Sequence, residues 1–129
     1  MIFLDTGFLY SLFCRSEVTH KCARNIYDYF SEDKSIKVIN SVVLVEILNK
    51  SRKLNLFPNE LFDILNNNTL IVFLSESDFF DALKLNQDYG NAINYSDCTI
   101  LKTMIDLGIN RIVSFDSDFD KIKGIERIH

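Results

Sequence analysis

Four acidic residues could bind a metal ion together: Asp5, Glu46, Asp97 and Asp116. Asp5 directly follows the apolar run Ile2-Phe3-Leu4, and Asp116 follows the run Ile112-Val113-Ser114-Phe115. If both runs are strands of one parallel sheet, both carboxylates lie at its carboxyl edge, where such sheets bind ligands. An aspartate after a strand also often forms a turn or caps the next helix, so either residue alone is ambiguous.

Glu46 is the one charged residue in the apolar segment 42–48. Ionised carboxylates are rarely buried without a partner, so some positive group should compensate this charge. On a helix, Lys50 is its neighbour one turn later, and a surface pair between the two is the alternative to a functional role. Such a pair would contribute only about 0.3–0.5 kcal/mol.

Asp97 follows Asn94, a residue suited to be the N-cap of a helix. Asp97 would then occupy the third helical position, where a carboxylate interacts favourably with free amides and the helix dipole. That structural role is the common one for an acid at this position. The same geometry would also hold Asp97 rigidly towards Asp5, so one carboxylate could serve both purposes.

Carboxylates gathered at one edge repel one another, which raises some of their pKa values unless a cation neutralises them. Ligation by oxygen alone favours Mg²⁺ or Mn²⁺, whereas zinc and copper sites normally include His or Cys. The two histidines, His20 and His129, are poorly placed to supply such a site or a Ser-His-Asp triad. A zinc site at Cys14, His20 and Cys22 lacks an obvious fourth ligand.

Composition places further limits on the protein. Its 129 residues predict one domain, spanning 1–129. The net charge of −4 provides no overall attraction for a polyanion, so nucleic-acid binding would need local basic clusters or metal ions. The odd number of cysteines favours free thiols over disulfides. We find no secretory signal and no apolar run of membrane-spanning length, and therefore expect a cytoplasmic protein.

Short apolar runs alternate with longer helical patterns along the chain. This order predicts an α/β fold, a three-layer α/β/α sandwich with a central parallel sheet of four or five strands. Thr19 and Ser41 are expected to cap helices that extend to about Glu32 and Lys53. Gly90 and Gly108 are expected to end the two later helices. The predicted strands lie at residues 2–4, 37–39, 70–74 and 111–113, with a possible edge strand at 124–128.

Four segments resemble motifs of the PIN-domain family: Ile2-Phe3-Leu4-Asp5-Thr6, Ser41-Val-Val-Leu-Val-Glu46-Ile, Asn94-Tyr-Ser-Asp97 and Ser114-Phe-Asp-Ser-Asp118-Phe119. Their order and spacing are similar to those of VapC-like toxins, with 41 residues from the first acid to the second, 51 to the third and 19 to the fourth. The resemblance implies an Mg²⁺- or Mn²⁺-dependent endoribonuclease that cleaves RNA. Homodimers and pairing with a small antitoxin protein are further implications.

The resemblance also implies individual roles. Asp5 and Asp97 are the expected principal metal ligands, Asp116 completes the cluster, and Glu46 binds metal directly or through water. Asp118 is a candidate auxiliary ligand. Thr6 and Ser114 would orient a carboxylate or water, although helix capping and turn formation explain them equally well. Five basic residues are candidates for binding flanking phosphates: Arg15, Arg24, Lys50, Arg52 and Lys53.

One departure from the family pattern and two alternative functions have to be considered. Ser114-Phe115 stands where a Thr-Arg pair often occurs in toxin relatives, which puts substrate preference in doubt. A catalytically inactive PIN-like module that binds RNA or protein is the main alternative to an enzyme. A dehalogenase-type phosphatase would need a second aspartate two residues after Asp5, where Gly7 stands.

Overall fold

The computed structural model describes residues 1–129. The strands are β1 (Ile2–Leu4), β2 (Lys37–Asn40), β3 (Leu70–Val72), β4 (Arg111–Val113) and β5 (Glu126–Ile128). They form one parallel sheet in the order β3-β2-β1-β4-β5. In the central strand β1, Phe3 pairs with Val38 on one side and with Ile112 on the other. All three residues of β1 are buried, as expected for a parallel strand covered on both faces.

Six α-helices connect the strands: α1 (Thr6–Phe13), α2 (His20–Glu32), α3 (Ser41–Leu48), α4 (Pro58–Asn68), α5 (Glu76–Asp88) and α6 (Tyr95–Leu107). The chain runs from β1 through β2 to β3 in one direction, so right-handed crossovers place α1 to α4 on one face. It then returns past β1 to β4, which places α5 and α6 on the other face. Contacts of α1 with α2 and α3, and of α5 with α6, agree with this arrangement. The predicted three-layer sandwich is confirmed, with five strands.

The direction of winding reverses between β1 and β4. The chain leaves β1 towards β2 and leaves β4 towards β5, so a crevice opens at the carboxyl ends of these two neighbouring strands. Asp5 and Ser114 are the first residues beyond them. The expected position of a ligand site therefore follows from the topology.

The core also fixes the segment that follows β4. A short 3₁₀-helix spans Ser117–Lys121, and within it Phe119 is fully buried among the other core side chains. Burial of a phenylalanine contributes about 2 kcal/mol or more. This contact holds the two aspartates on either side of Ser117 against the sheet edge.

Two expected capping hydrogen bonds are not formed, although Thr19 occupies the N-cap position of α2 as predicted. Asn40, not Ser41, caps α3, since its Oδ1 accepts hydrogen bonds from the amides of Val42 and Val43 at 3.1 and 3.0 Å. Ser41 instead accepts a hydrogen bond from the amide of Leu74 at 3.0 Å. Thr19 makes no capping bond, because its hydroxyl lies 2.6 Å from that of Ser11.

The end of α3 also differs. The helix was expected to reach about Lys53 but ends at Leu48. The amides of Lys50 and Ser51 donate to carbonyls only three residues back, so tight turns replace the α-helical pattern. The later helices end as predicted, since Gly90 and Gly108 have φ values of 58° and 66°.

No helix of the chain has the length and apolar character needed to cross a membrane.

Candidate metal centre

Asp5 is fixed at the start of α1 by hydrogen bonds to both of its carboxylate oxygens. Oδ1 accepts from the amide of Thr6 at 2.8 Å, and Oδ2 accepts from the hydroxyl of Ser114 at 2.6 Å. Its own amide donates to the carbonyl of Val113 in the adjacent strand. Burial raises the pKa of Asp5, and the two hydrogen bonds to the carboxylate counteract this increase. The side chain is therefore held in one orientation beside β4.

Asp116 lies one turn beyond β4 and is positioned by the same serine. Its amide donates to the Ser114 hydroxyl oxygen at 3.0 Å. Its Oδ1 accepts from the amide of Asp118 at 2.9 Å and so caps the 3₁₀-helix. Ser114, which is fully buried, therefore links the backbone of Asp116 to the carboxylate of Asp5.

Asp97 is the most deeply buried acid of the group, with 6% of its surface exposed. Asn94 caps α6 as predicted, accepting a hydrogen bond from the Asp97 amide at 2.9 Å. The carboxylate itself is not satisfied, because its Oδ2 is buried without any hydrogen-bond partner. Leaving a buried polar atom unpaired costs on the order of 1–3 kcal/mol, and more for a charged group.

The charged groups that shift the pKa of Asp97 are all negative. The pKa of Asp97 is raised from 3.8 to about 7, chiefly by burial and further by the negative charges of four carboxylates, in the order Asp5, Asp116, Asp118 and Glu46. All the acids predicted for the site thus act on one side chain. An ionised Asp97 would be stabilised by a cation placed among them.

Glu46 extends from the middle of α3 and is half-buried. Burial raises its pKa, the charge of Asp5 adds to that increase, and the charge of Lys50 partly offsets it. The ion pair between Glu46 and Lys50, which was the alternative to a functional role for this acid, does not form. The Lys50 ammonium instead lies 5.0 Å from the centre of the Tyr10 ring. Glu46 therefore keeps a carboxylate available to the site.

The structure brings the predicted acids together in two overlapping sets. Carboxylate oxygens of Asp97, Asp116 and Asp118 lie within 4.8 Å of one another. An open cavity of about 350 Å³ is lined by Asp5, Glu46, Asp97 and Asp116. Asp118 belongs to the first set only, and its Oδ1 accepts a hydrogen bond from the Lys121 ammonium at 2.8 Å.

The donor set fits a hard divalent cation. Every member of the cluster offers a carboxylate oxygen, the ligand type that Mg²⁺ and Mn²⁺ prefer. The unpaired Oδ2 of Asp97 is the atom that a cation would satisfy. The alternative zinc ligands Cys14, His20 and Cys22 do not come close enough to share an ion, and His20 Nδ1 lies 2.8 Å from the Ser11 carbonyl.

The two predicted orienting residues differ in their contacts. Ser114 bonds both Asp5 and the backbone of Asp116, as described above. Thr6 lines the cavity, but its buried hydroxyl oxygen has no hydrogen-bond partner. Of the two residues, only Thr6 lines the acidic cavity, whereas Ser114 is buried behind Asp5 and Asp116.

Tyr10 and Lys50 also line the acidic cavity, and the contact between them was not predicted from the sequence. Tyr10 lies one helical turn after Thr6, so the i, i+4 spacing could have identified it as a residue on the same face of α1. Lys50 was a candidate phosphate-binding residue, but the position of its ammonium over an aromatic ring depends on contact between α1 and α3.

Asp120, the next acid along the chain, is exposed and pairs with Arg127. The guanidinium donates to both Asp120 oxygens at 2.8 and 2.9 Å. This contact lowers the pKa of Asp120. The acid is therefore engaged with β5 and lies outside the metal cluster.

Solved structures share this fold. VapC20 of Mycobacterium tuberculosis, a toxin that cleaves the sarcin-ricin loop, superimposes with a TM-score of 0.77 at 18% identity over 94% of each chain. VapBC2 of Rickettsia felis, determined with a DNA fragment from its promoter, gives a TM-score of 0.73 at 19% identity, covering 99% of this chain and 98% of that one. No curated protein matches the chain significantly in sequence.

At such low sequence identity, these structural similarities show a shared fold only. Membership of a family has to be shown by a match in sequence. The model of the PIN domain matches residues 2–125, nearly the whole chain and all five acids of the site. The protein therefore belongs to the PIN-domain family.

Proposed function

We propose that the protein is an endoribonuclease that depends on Mg²⁺ or Mn²⁺. The observation that carries this proposal is the buried, unpartnered Oδ2 of Asp97, a residue with a carboxylate oxygen within 4.8 Å of those of Asp116 and Asp118. Such an arrangement is unfavourable on its own and becomes favourable around a divalent cation. Membership of the PIN-domain family and the resemblance to VapC-like toxins support RNA as the substrate.

Each acid has a distinct place in the proposed site. Asp5 and Asp97 would be the principal metal ligands, because one is held by Ser114 and the other is buried and unpaired. Asp116 completes the cluster and Glu46 closes the cavity from α3. Asp118 is an auxiliary ligand in this proposal, since Lys121 already neutralises part of its charge.

The chain's own residues prepare the cavity for hydrolysis. A divalent cation bound here supplies positive charge for the scissile phosphate and makes water more acidic. Glu46 is half-exposed with a raised pKa, so it can accept a proton from water in the cavity. Lys50 contributes a positive charge at the same cavity and can contact a substrate phosphate.

An inactive binding module remains the competing proposal. Such a module has no need for the unfavourable burial of Asp97 among like charges. Retention of this strained cluster therefore supports catalysis, and the test below separates the two proposals.

Cleavage of a mixed RNA pool tests the function. The wild-type protein is expected to cleave RNA with Mg²⁺ or Mn²⁺ and to stop in EDTA. Asp5→Asn and Asp97→Asn should lower the rate by at least about a hundredfold, while the exposed Asp63→Asn serves as the matched control. RNA binding without cleavage by folded wild-type protein would favour the inactive module.

A small antitoxin is proposed as a protein partner. An apolar cavity of about 210 Å³ lies between α1, α2 and α4, lined in part by Phe13, Tyr27 and Ile64, with the charges of Arg24 and Asp28 beside them. A short antitoxin segment with an apolar side chain and one or more charges would match this lining. Ile64→Glu should then abolish neutralisation by a cognate antitoxin while RNA cleavage persists.

A homodimer is also proposed, through an apolar face of α5. Phe79, Phe80 and Leu83 are 39%, 58% and 47% exposed. Leu83 follows Phe79 by four residues and Phe80 by three, so it neighbours both on the helix surface. Burying this face against a second copy would remove it from water. Phe80→Asp should convert a dimer to a monomer in sedimentation analysis, and an unchanged mass would contradict the proposed face.

A further inference from the structure

A strip of positive charge begins at the acidic cavity and leads away from it. Between Glu46 and Glu60 the chain has no acidic residue but has Lys50, Arg52 and Lys53. This concentration stands out in a chain whose net charge is −4. We call these three residues, together with Arg15, the basic strip.

The basic strip makes no ion pairs within the fold, and Lys50 lies over the Tyr10 ring. None of its four residues takes part in an ion pair, whereas Lys102, Lys121 and Arg127 do. A role in offsetting the dipole of α3 is also weak, because that helix ends at Leu48 and its last turn has no basic residue. Arg15, Arg52 and Lys53 are exposed.

The strip continues from the acidic cavity through two further surface cavities. Lys50 and Tyr10 line the acidic cavity. A second cavity of about 340 Å³ is lined by Arg15, Lys53 and Asn55, and a third by Asn55, Arg52 and Phe57. Asn55 thus belongs to both of the outer cavities.

Helix α1 joins the acidic cavity to the second one. The amide of Cys14, which lines the second cavity, donates to the carbonyl of Tyr10 at 2.9 Å. From Asp5 to Cys14 a helix rises about 13 Å, at 1.5 Å per residue. A few nucleotides of a single strand cover such a span.

An exposed aromatic side chain marks the far end of the strip. Phe57 is 72% exposed and lines the same cavity as Arg52. Aromatic side chains interleaved with basic ones are the features by which proteins bind single-stranded nucleic acid, through base stacking and phosphate contacts. Glu60 also lines the third cavity, but none of the four cations of the strip forms an ion pair, so all four can contact phosphates.

We propose that the basic strip binds the single-stranded RNA that flanks the scissile phosphate, with Arg15 and Lys53 holding phosphates and Phe57 stacking on a base. This inference rests on the proposed function, since it assumes that the strand passes through the acidic cavity. It assigns substrate binding to residues outside the acidic cluster.

The test compares two double variants with the same change in charge. Arg15→Gln/Lys53→Gln removes the second cavity's cations, and Lys84→Gln/Lys123→Gln removes two exposed, unpaired lysines that line none of the three cavities. RNA binding is measured by fluorescence anisotropy in EDTA, at several salt concentrations. The strip variant should bind an RNA of about ten nucleotides roughly tenfold more weakly, with a salt slope smaller by about 1.4, and the control should bind like wild type. Phe57→Leu should also weaken binding of this RNA.

Cleavage kinetics provide the second measurement. For the RNA of about ten nucleotides, the strip variant should raise KM about tenfold and leave kcat unchanged. For a substrate of about two nucleotides, too short to reach the second cavity, the same variant should have no effect.

The outcomes separate the two proposals. If the wild type binds RNA but does not cleave it, the proposed function fails while the anisotropy comparison still decides the inference. Equal binding by the two double variants would overturn the inference even if cleavage is observed. An absence of RNA binding by the wild type would overturn it as well.

Discussion

Replacing Asp97 by asparagine should stabilise the metal-free protein, and the gain should grow with pH. The carboxyl is buried among four other acids, and its pKa is raised from 3.8 to about 7. A native pKa above the unfolded value means that the native state retains a proton that the unfolded state has lost. The stability that wild type has at low pH is therefore lost as pH rises from about 4 to about 7.

The size of this pH-dependent gain in stability follows from the linkage between proton binding and folding. Between those two pH values the loss is about 1.4 kcal/mol per pH unit, and above pH 7 it levels off. Asparagine has nearly the same shape and does not titrate, so its advantage over wild type should increase by about 3 kcal/mol between pH 5 and pH 8. Its amide can also donate to a neighbouring carboxylate, which replaces a repulsion by a hydrogen bond.

Urea unfolding in EDTA at pH 5, 6, 7 and 8 measures this difference. Asp63→Asn is the matched control, because Asp63 is exposed and makes no ion pair. Its stability relative to wild type should not change with pH by more than a few tenths of a kcal/mol. An advantage of Asp97→Asn that is the same at pH 5 and pH 8 would refute the reasoning about buried like charges.

Three further predictions concern the parts that support the site. Ser114→Ala removes the hydrogen bonds to Asp5 and to the Asp116 amide, so it should lower the free energy of unfolding in urea by about 1–3 kcal/mol. It should also weaken Mn²⁺ binding, measured by calorimetry, about 10–100-fold. Asn40→Ala removes the cap of α3 and should cost about 1–2 kcal/mol, more than Ser41→Ala; the reverse order would contradict the capping assignment. Mg²⁺ should raise the melting temperature of wild type more at pH 8 than at pH 5, because protons compete for the same carboxylates; an equal rise at both values would place the ion elsewhere.

Much of the fold was predictable because local signals and the global order agree. Gly108 ends α6 in a left-handed conformation and Asn94 begins it, as their residue types indicate. The alternation of apolar runs and helices fixed the parallel sheet. Two capping residues were not predicted correctly. Asn40 and Ser41 are adjacent and can both cap a helix, and Asn40 is the one that caps α3. The Thr19 hydroxyl instead bonds to that of Ser11 in α1, a tertiary contact.

The early end of α3 was not predictable from propensity, since Lys and Arg are good helix formers. The turns after Leu48 place Lys50 over Tyr10 and direct Arg52 and Lys53 towards two separate cavities. These positions depend on packing between α1 and α3, which a linear pattern does not encode.

The candidate site could be predicted only in part from the sequence. Strand ends and family spacing predicted which acids would meet. They did not indicate that Asp97 would be buried with an unpaired oxygen, or that one hydroxyl, that of Ser114, would contact both Asp5 and Asp116. Both features arise from the approach of α6 and β4 to β1, over more than 100 residues of sequence in the case of the Asp5–Ser114 bond.

Binding of Mn²⁺, followed by electron paramagnetic resonance, tests the central claim that a divalent cation compensates the repulsion within the acidic cluster. Wild type and Asp63→Asn should bind Mn²⁺ with the same affinity, and Asp97→Asn should bind it at least about tenfold more weakly. Equal Mn²⁺ affinity in wild type and folded Asp97→Asn would contradict the claim.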